Sequence, residues 1–589
     1  MGPMHTVHRP RLGKDWSERR PDGYDVVVIG SGYGGAIHAA RLATADWPDG
    51  KPSLCVLERG KEWRPGDFPD RIDEAPAAVH NELLRPLGLY KFQLGPDIVA
   101  MMGSGLGGTS LVNANVAIQP DPDLFDDPRW PQAIRDARDA GQLDDYYARV
   151  RLTLGAGPHP ESGSLSKVQA LFRGARARPG AETFLLDVAV NFQPDGPNRW
   201  QVPQRKCINC GDCVTGCNVG AKNTLDTNYL AIASHGGADL FPGVEVRHIE
   251  KNAAGGWRVL YVHRPEQGPP EQGTLEARRA VVVSAGSIGS TEILLRSRDR
   301  GLSLSDKVGT RFSGNGDFFG LAFNGDQRTD VLGWGAYPSS DRARRLQPAP
   351  DVTARPGPSI VAGVRYNRAG APGARILIED LSFPLTYVDA ARAAFAVIAG
   401  RDTDPGNALD NLQEFGRRLT DFGAVNPALE RGALNHTMLY LIMGLDDAGG
   451  RIELDPLTGS GRIRWPAAGA QPLFARQNSL ALEHATALGS TFVENPLWGF
   501  TPFRTLVTAH PLGGCPMGES DADGLVNDRG RVFDAGGNPH DGLYVADGSI
   551  IPMAIGVNPF LTISAIAERI AEGVIAMLGG VPAVLERIP

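Results

Sequence analysis

The stretch Tyr24–Ala43, YDVVVIGSGYGGAIHAARLA, decides the reading of this 589-residue chain. Its apolar run from Val26 to Ile29 lacks polar alternation, as expected of a parallel strand buried on both faces, and it enters a glycine turn that opens a helix. Gly30, Gly32 and Gly35 form GxGxxG, which lets backbone approach a pyrophosphate while the helix N-terminus faces its charge. A second strand, PSLCVLERG, ends on Glu58, 23 residues after Gly35, placed to accept hydrogen bonds from a ribose 2′-hydroxyl. These features predict a dinucleotide-binding βαβ unit without choosing between NAD and FAD.

The same order of strand, glycine turn and helix returns in ARRAVVVSAGSIGSTEILLRS (277–297). A strand, a loop and a long apolar-striped helix follow in DGLYVADGSIIPMAIGVNPFLTISAIAERIAEGVIAML (541–578). A chain this long exceeds one ordinary core, and scattered pieces predict an α/β fold with a discontinuous Rossmann-like domain over 20–135, 222–318 and 505–589. Between them, SIVAGVRYN, ARILIEDLSF, YLIMGLDDAGGRIELDP and RIRWP read as antiparallel strands of a substrate domain over 319–504. YVDAARAAFAVIAG and ALDNLQEFGRRLTDF read as two helices joined by RDTDPGN, a lid-like insertion near 385–430. The proline-rich RRLQPAPDVTARPGP (344–358) reads as an exposed connection. Residues 136–221, which hold most of the cysteines, are assigned to a segment joined to the substrate domain.

A second glycine cluster, GSGLGGTSLVNANV (103–116), precedes what reads as a β-type segment. It either brings backbone against a flat group such as an isoalloxazine or makes a tight surface turn.

Composition narrows the function. The net charge of −8 argues against a broad phosphate-binding face, so no nucleic-acid partner is expected. The first twenty residues lack the apolar core of a signal peptide, and no apolar run is long enough to span a bilayer, which predicts a cytoplasmic protein without a transmembrane segment. Four of the six cysteines, Cys207, Cys210, Cys213 and Cys217, fall within eleven residues as C-x2-C-x2-C-x3-C, the spacing of bacterial ferredoxin loops. Zinc sites usually pair two CxxC units across a longer spacer. An iron–sulfur cluster is expected, either a [4Fe–4S] closed by Cys217 or a [3Fe–4S] on three cysteines, since Asn218 stands where ferredoxins have proline. Cys55 and Cys515 read as buried packing residues.

Six ordered pieces, namely VVVIGSGYGGA, the 103–116 loop, TLDTNYLAIA, SAGSIGSTEILLRSR, HPLGGCPMG and GLYVADGSIIPMAIGVNPFLTISAIAER, resemble the glucose-methanol-choline oxidoreductases, most closely their cholesterol-oxidase-like branch. The resemblance implies FAD, a sheet-based substrate domain over the flavin, and oxidation of an alcohol by hydride transfer. It implies cofactor contacts from Gly30, Gly32, Gly35 and Glu58, from Gly103, Gly107, Gly108, Ser110 and Asn113, and from Val246, Ala285, Gly286, Asp547 and Asn558. His510 and Asn558 are the implied catalytic pair beside the reacting carbon, with Glu379 in ARILIEDLSF as the base that moves a steroid double bond. Taken alone, His510 also fits a structural role and Asn558 a helix cap, and Asp380 competes with Glu379 because neighbouring strand residues face opposite ways.

A cluster beside a flavin implies a dehydrogenase that passes electrons singly to an external carrier. The alternatives are an oxygen-using sterol oxidase with a structural cluster, and an electron-transfer protein, for which His510 and Asn558 would have no use.

Overall fold

The computed structural model describes residues 7–82, 84–333, 355–396, 400–406, 408–423, 432–499 and 504–584. The proline-rich connection lies outside them up to residue 354.

The Tyr24–Ile29 strand is central in the first sheet. It pairs in parallel with Leu54–Glu58 on one side and with the end of Glu271–Val283 on the other, with Ile29 opposite both Leu57 and Val283. Asp239–Pro242 extends the sheet beyond Leu54–Glu58, and Pro539–Val545 runs parallel to residues 281–283. Val26–Val28 and Val281–Val283 are fully buried, as their unbroken apolar sequences require. Helix α1 (Tyr33–Thr44) follows the glycine turn and packs against helix α5 (Phe560–Met577), while α2 (Gly286–Asp299) follows the second such turn.

The turn owes its glycines to backbone crowding. A Cβ on Gly34 would lie 1.5 Å from the Ala546 carbonyl oxygen, and one on Gly35 would lie 1.9 Å from that of Gly30. Gly30 has φ +94° and sits against the Ser284 carbonyl. Three segments far apart in sequence therefore meet at backbone contact, at the carboxyl ends of the parallel strands.

The second sheet is antiparallel throughout. Its order is Arg401–Asp402, Thr491–Val493, Phe318–Phe323, Met438–Gly444, Ile376–Leu381, Ala362–Tyr366 and Glu182–Leu185. The insertion contains helices α3 (Leu385–Ala396) and α4 (Ala408–Gly423). Arg401 and Asp402, read as part of a helix breaker, form a short strand on the sheet edge.

The strands Arg451–Leu454 and Gly461–Arg464 pair antiparallel, as expected, in a hairpin of their own. One expectation fails. The second glycine loop is preceded by its strand, Ile98–Gly103, and is followed by a short 3₁₀ turn, Gly108–Leu111. The reason is local: φ of +108° at Gly107 and +56° at Gly108 turns the chain out of extended geometry.

Gly34→Ala should cost more than about 3 kcal/mol, because its methyl group meets backbone that cannot move aside. Chemical denaturation of the purified variant, if it accumulates at all, checks this.

Candidate active site

Between the glycine turn and the second glycine loop lies an open cleft whose free space, mouth included, is about 710 Å³. Gly30, Gly32, Glu58, Gly103, Gly108, Val246, Ala285 and Gly286 all line it. Gly32 supplies the test of fit to a dinucleotide: a Cβ there would have nothing within 4 Å, although its neighbours Gly34 and Gly35 are pressed by backbone. Protein packing gives no reason for a glycine at 32, whereas close approach of a ligand does. Glu58 is buried; its Oε2 accepts from Ser31 N and Oγ, and its Oε1 from Gly60 N. These bonds fix the carboxylate at the cleft wall, leaving acceptor capacity for a ribose hydroxyl.

The other expected cofactor residues divide. Asn113 donates from Nδ2 to Tyr33 Oη and keeps a buried Oδ1 without a hydrogen-bond partner. Gly35, by contrast, packs on Gly30. Ser110 Oγ is spent on its own loop, donating to Gly107 O and accepting from Leu225 N. Asp547 accepts from Gly286 N, Ser290 Oγ and Ser549, so it holds the start of α2 in place.

A second constellation joins the two sheets. Glu379 is fully buried, and its Oε2 accepts a hydrogen bond from Asn558 Nδ2 at 3.1 Å. Asp380 faces away: its Oδ1 accepts from Val361 N and Ala362 N, and its Oδ2 lies 2.7 Å from the buried Lys167 ammonium. Strand alternation thus assigns Glu379, and not Asp380, to the Asn558 side. Burial pushes the Glu379 carboxyl well above the usual carboxylate range, the charges of Asp380 and Asp317 add to that, and the Asn558 bond offsets part of it. That direction favours the protonated form of Glu379. Asn558 does not cap α5, since its amide is engaged by Glu379 and that helix start has no side-chain cap.

His510 follows the Leu506–Thr508 strand. Its Nδ1 lies 2.9 Å from Asp317 Oδ1, and the other carboxylate oxygen accepts from Ala509 N and stands 2.9 Å from Thr508 Oγ1. Because Nδ1 faces a carboxylate, it carries the hydrogen, and in the neutral ring Nε2 then presents the lone pair. Asp317, the residue before the Phe318–Phe323 strand, is 2 % exposed. It carries no motif, and its partner lies 193 positions away, so sequence reading misses it.

The four cysteines are free thiols lining one cavity, with Val190, Ile208 and Val219 among its apolar walls. Burial raises the thiol pKa values of Cys207, Cys210 and Cys213. Among the described residues, no three His, Cys, Asp or Glu side chains are grouped so as to hold a metal ion. Cys55 and Cys515 are fully buried, as expected.

Family models of the GMC oxidoreductases match residues 25–313 and 478–567. The chain belongs to the GMC oxidoreductases. It is 26 % identical to a cholesterol oxidase of Acinetobacter baumannii, covering 93 % of both chains, and 28 % identical to one of Mycobacterium tuberculosis, covering 94 % of this chain and 91 % of that one. A long-chain-alcohol oxidase of Arabidopsis thaliana is 23 % identical over 94 % of this chain and 67 % of its own. The fold matches a fungal aryl-alcohol oxidase with TM-score 0.55 at 15 % identity, over 95 % of this chain and 100 % of that one. This GMC protein is accordingly an FAD-dependent alcohol oxidoreductase, and the glycine-lined cleft fits its cofactor. Among the described residues no helix is long and apolar enough to cross a membrane.

Gly32→Ala should leave the fold intact, because its methyl group enters open space, yet lower FAD content; thermal melting and flavin absorbance of the same preparation separate the two. Asp317→Asn should place an amide N–H opposite His510 Nδ1, since its oxygen is needed by Ala509 N. That amide favours the tautomer with the hydrogen on Nε2, and flavin reduction by alcohol should slow by about 10²- to 10⁴-fold, with a much smaller change in KM.

Proposed function

We propose that this oxidoreductase acts on a bulky, apolar alcohol of the sterol or other alicyclic kind. Its electrons leave through an iron–sulfur cluster held by Cys207, Cys210, Cys213 and Cys217. One observation carries the alcohol site: Asn558 Oδ1 and Glu379 Oε1 are both buried without a hydrogen-bond partner, a polar spot in a largely apolar interior. Unpartnered buried polar atoms are costly, and a substrate hydroxyl, which can both donate and accept, would relieve the cost there.

Loss of hydride from a carbinol carbon leaves a positive centre unless the hydroxyl proton departs. His510 Nε2 takes that proton, with Asp317 holding the ring and stabilising the imidazolium. Asn558 fixes the substrate oxygen. Glu379 takes a proton from the carbon between the new carbonyl and the double bond and returns it at the far carbon of that bond, which is the transfer needed to move a steroid double bond into conjugation. FAD, when bound, supplies the hydride acceptor. A cluster, if bound, would be held by these four cysteines and would supply a one-electron outlet. The shared cysteine cavity supports that reading. A second reading, in which oxygen takes the electrons, is supported by the relatives, which are named as oxidases.

Anaerobic purification with visible and low-temperature EPR spectra tests both. Addition of a sterol or alicyclic alcohol should bleach the flavin and then produce a reduced-cluster EPR signal. Flavin bleaching in protein that lacks iron and acid-labile sulfide, with peroxide formed in air, would establish the oxidase. In either case, Glu379→Gln should retain flavin bleaching by a sterol with an isolated double bond and lose migration of that bond in the product.

A further inference from the structure

Helix α4 presents its faces in reverse of the order expected for a surface helix. Asp410, Glu414 and Asp421 point into the protein and are 4, 7 and 7 % exposed, whereas Leu409, Leu412, Phe415 and Leu419 are 68, 67, 58 and 54 % exposed. At about 100° per residue the acids gather on one arc and the four apolar side chains on the opposite one. Among the described side chains the outward arc also holds Asn411, Gln413, Gly416 and Thr420, none of them charged.

This orientation is fixed by hydrogen bonds. Arg417 donates from Nε and Nη2 to Asn324 Oδ1 and O, Asn324 Nδ2 donates to Glu414 O, and Leu434 N donates to Asp421 Oδ2. Rotating the helix to bury its leucines would break all four and place the acids outside. The Arg418 guanidinium lies 4.9 Å from the Phe323 ring centroid, at the edge of the apolar stripe.

Three occupants can be compared on size and charge. A sixteen-residue helix is about 24 Å long and about 10 Å wide. Paired with a second copy, the four apolar side chains would bury on the order of 900 Å² in total, short of the roughly 1,200 Å² of a stable protein–protein interface. A protein partner also expects about one hydrogen bond per 100–200 Å², and the stripe offers donors only at its margins. A bilayer requires neither. Its hydrocarbon accepts leucine and phenylalanine without polar pairing, and its anionic headgroups attract a cation such as Arg418 at the boundary. The acids of α4 are turned inward, which removes the carboxylates that anionic headgroups would repel.

We propose that α4 is a bilayer-docking helix that lies in the boundary between headgroups and acyl chains, with Leu409, Leu412, Phe415 and Leu419 inserted. It lies on the membrane and does not cross it, in keeping with the absence of a membrane-crossing helix among the described residues. Docking does not depend on the flavin chemistry, and the two are read separately.

The test is flotation of the purified full-length protein with phosphatidylcholine vesicles, with and without phosphatidylglycerol. The wild type should float with both, and more with the anionic vesicles. The double variant Leu412→Gln/Phe415→Gln should lose vesicle binding by about tenfold or more, at unchanged flavin content and melting temperature. A Phe415→Trp variant should show a blue shift on vesicle addition, beyond that of the wild type, and be quenched by bromine-labelled acyl chains. No flotation together with no added shift overturns the proposal. So does a dimer, seen by light scattering, that Leu412→Gln/Phe415→Gln dissociates while vesicles remain unbound.

Discussion

Everything in this molecule depends on one point of backbone contact. The Gly34 and Ala546 backbones approach so closely that no side chain can stand between them, and the Gly30 turn rests on the Ser284 carbonyl beside them. Around this crossing the ends of three parallel strands are pinned, Ile29 against Val283 and Val283 against Val545. The cleft opens at their carboxyl ends because that is where the chain leaves the sheet through glycines. Helix α5 then starts from a loop anchored by Asn315, whose Oδ1 accepts from Ile555 N and Gly556 N and whose Nδ2 donates to Val557 O. Asn558 is the next residue. The same scaffold that shapes the nucleotide cleft thus delivers the asparagine to Glu379 on the second sheet.

The chemistry on the second sheet follows from how two carboxylates are treated. Adjacent in sequence and both fully buried, Glu379 and Asp380 end up in opposite electrostatic surroundings. Asp380 meets the Lys167 ammonium and two backbone N–H groups, which satisfy its oxygens in the interior. Glu379 meets one amide, and its burial, with the charges of Asp380 and Asp317, raises its pKa. Asp317 shows the third possibility, a buried carboxylate satisfied by a histidine ring and a backbone N–H, which spends its charge on fixing a tautomer. Three acids within one region thereby meet three different sets of partners: an ammonium, an asparagine amide and a histidine ring.

Much of this is legible in the sequence, and the failures have physical causes. The GxGxxG turn, the acidic end of the second strand and the long final helix are local patterns, and each appears where its pattern places it. His510 and Asn558 are legible through their motifs. The choice between Glu379 and Asp380 is not, because alternation makes neighbours equivalent until Lys167, on a helix far earlier in the chain, takes one of them. Asp317 is invisible for the same reason, its meaning being a contact across 193 positions. The hairpin Arg451–Leu454 with Gly461–Arg464 alternates like any sheet strand, and nothing local says that it pairs only with itself. Helix α4 is legible as a helix, but its periodicity cannot tell which face meets the protein, and here the polar one does.

The cysteine loop looks from sequence like a module added to a flavoenzyme, yet its polar residues tie it to three separate parts of the site. Lys222, buried beside Cys213 and Cys217, donates from Nζ to the carbonyls of Asn113 and Cys213, binding the loop to the flavin side. Asn218 accepts from Gly66 N and Phe68 N and donates to Phe68 O, clamping the segment whose Trp63 stacks on Phe68. Asp212, between Cys210 and Cys213, accepts from Leu385 N, the first residue of α3. A carboxylate at that position satisfies a backbone donor that the helix itself leaves open and complements its dipole. The loop is therefore a shared support: displacement of its backbone on any change at the thiols would be felt at Asn113, at Phe68 and at the start of α3 together. That connectivity gives the cysteines a bearing on the architecture of the flavin site and of the helical insertion, whatever group they hold.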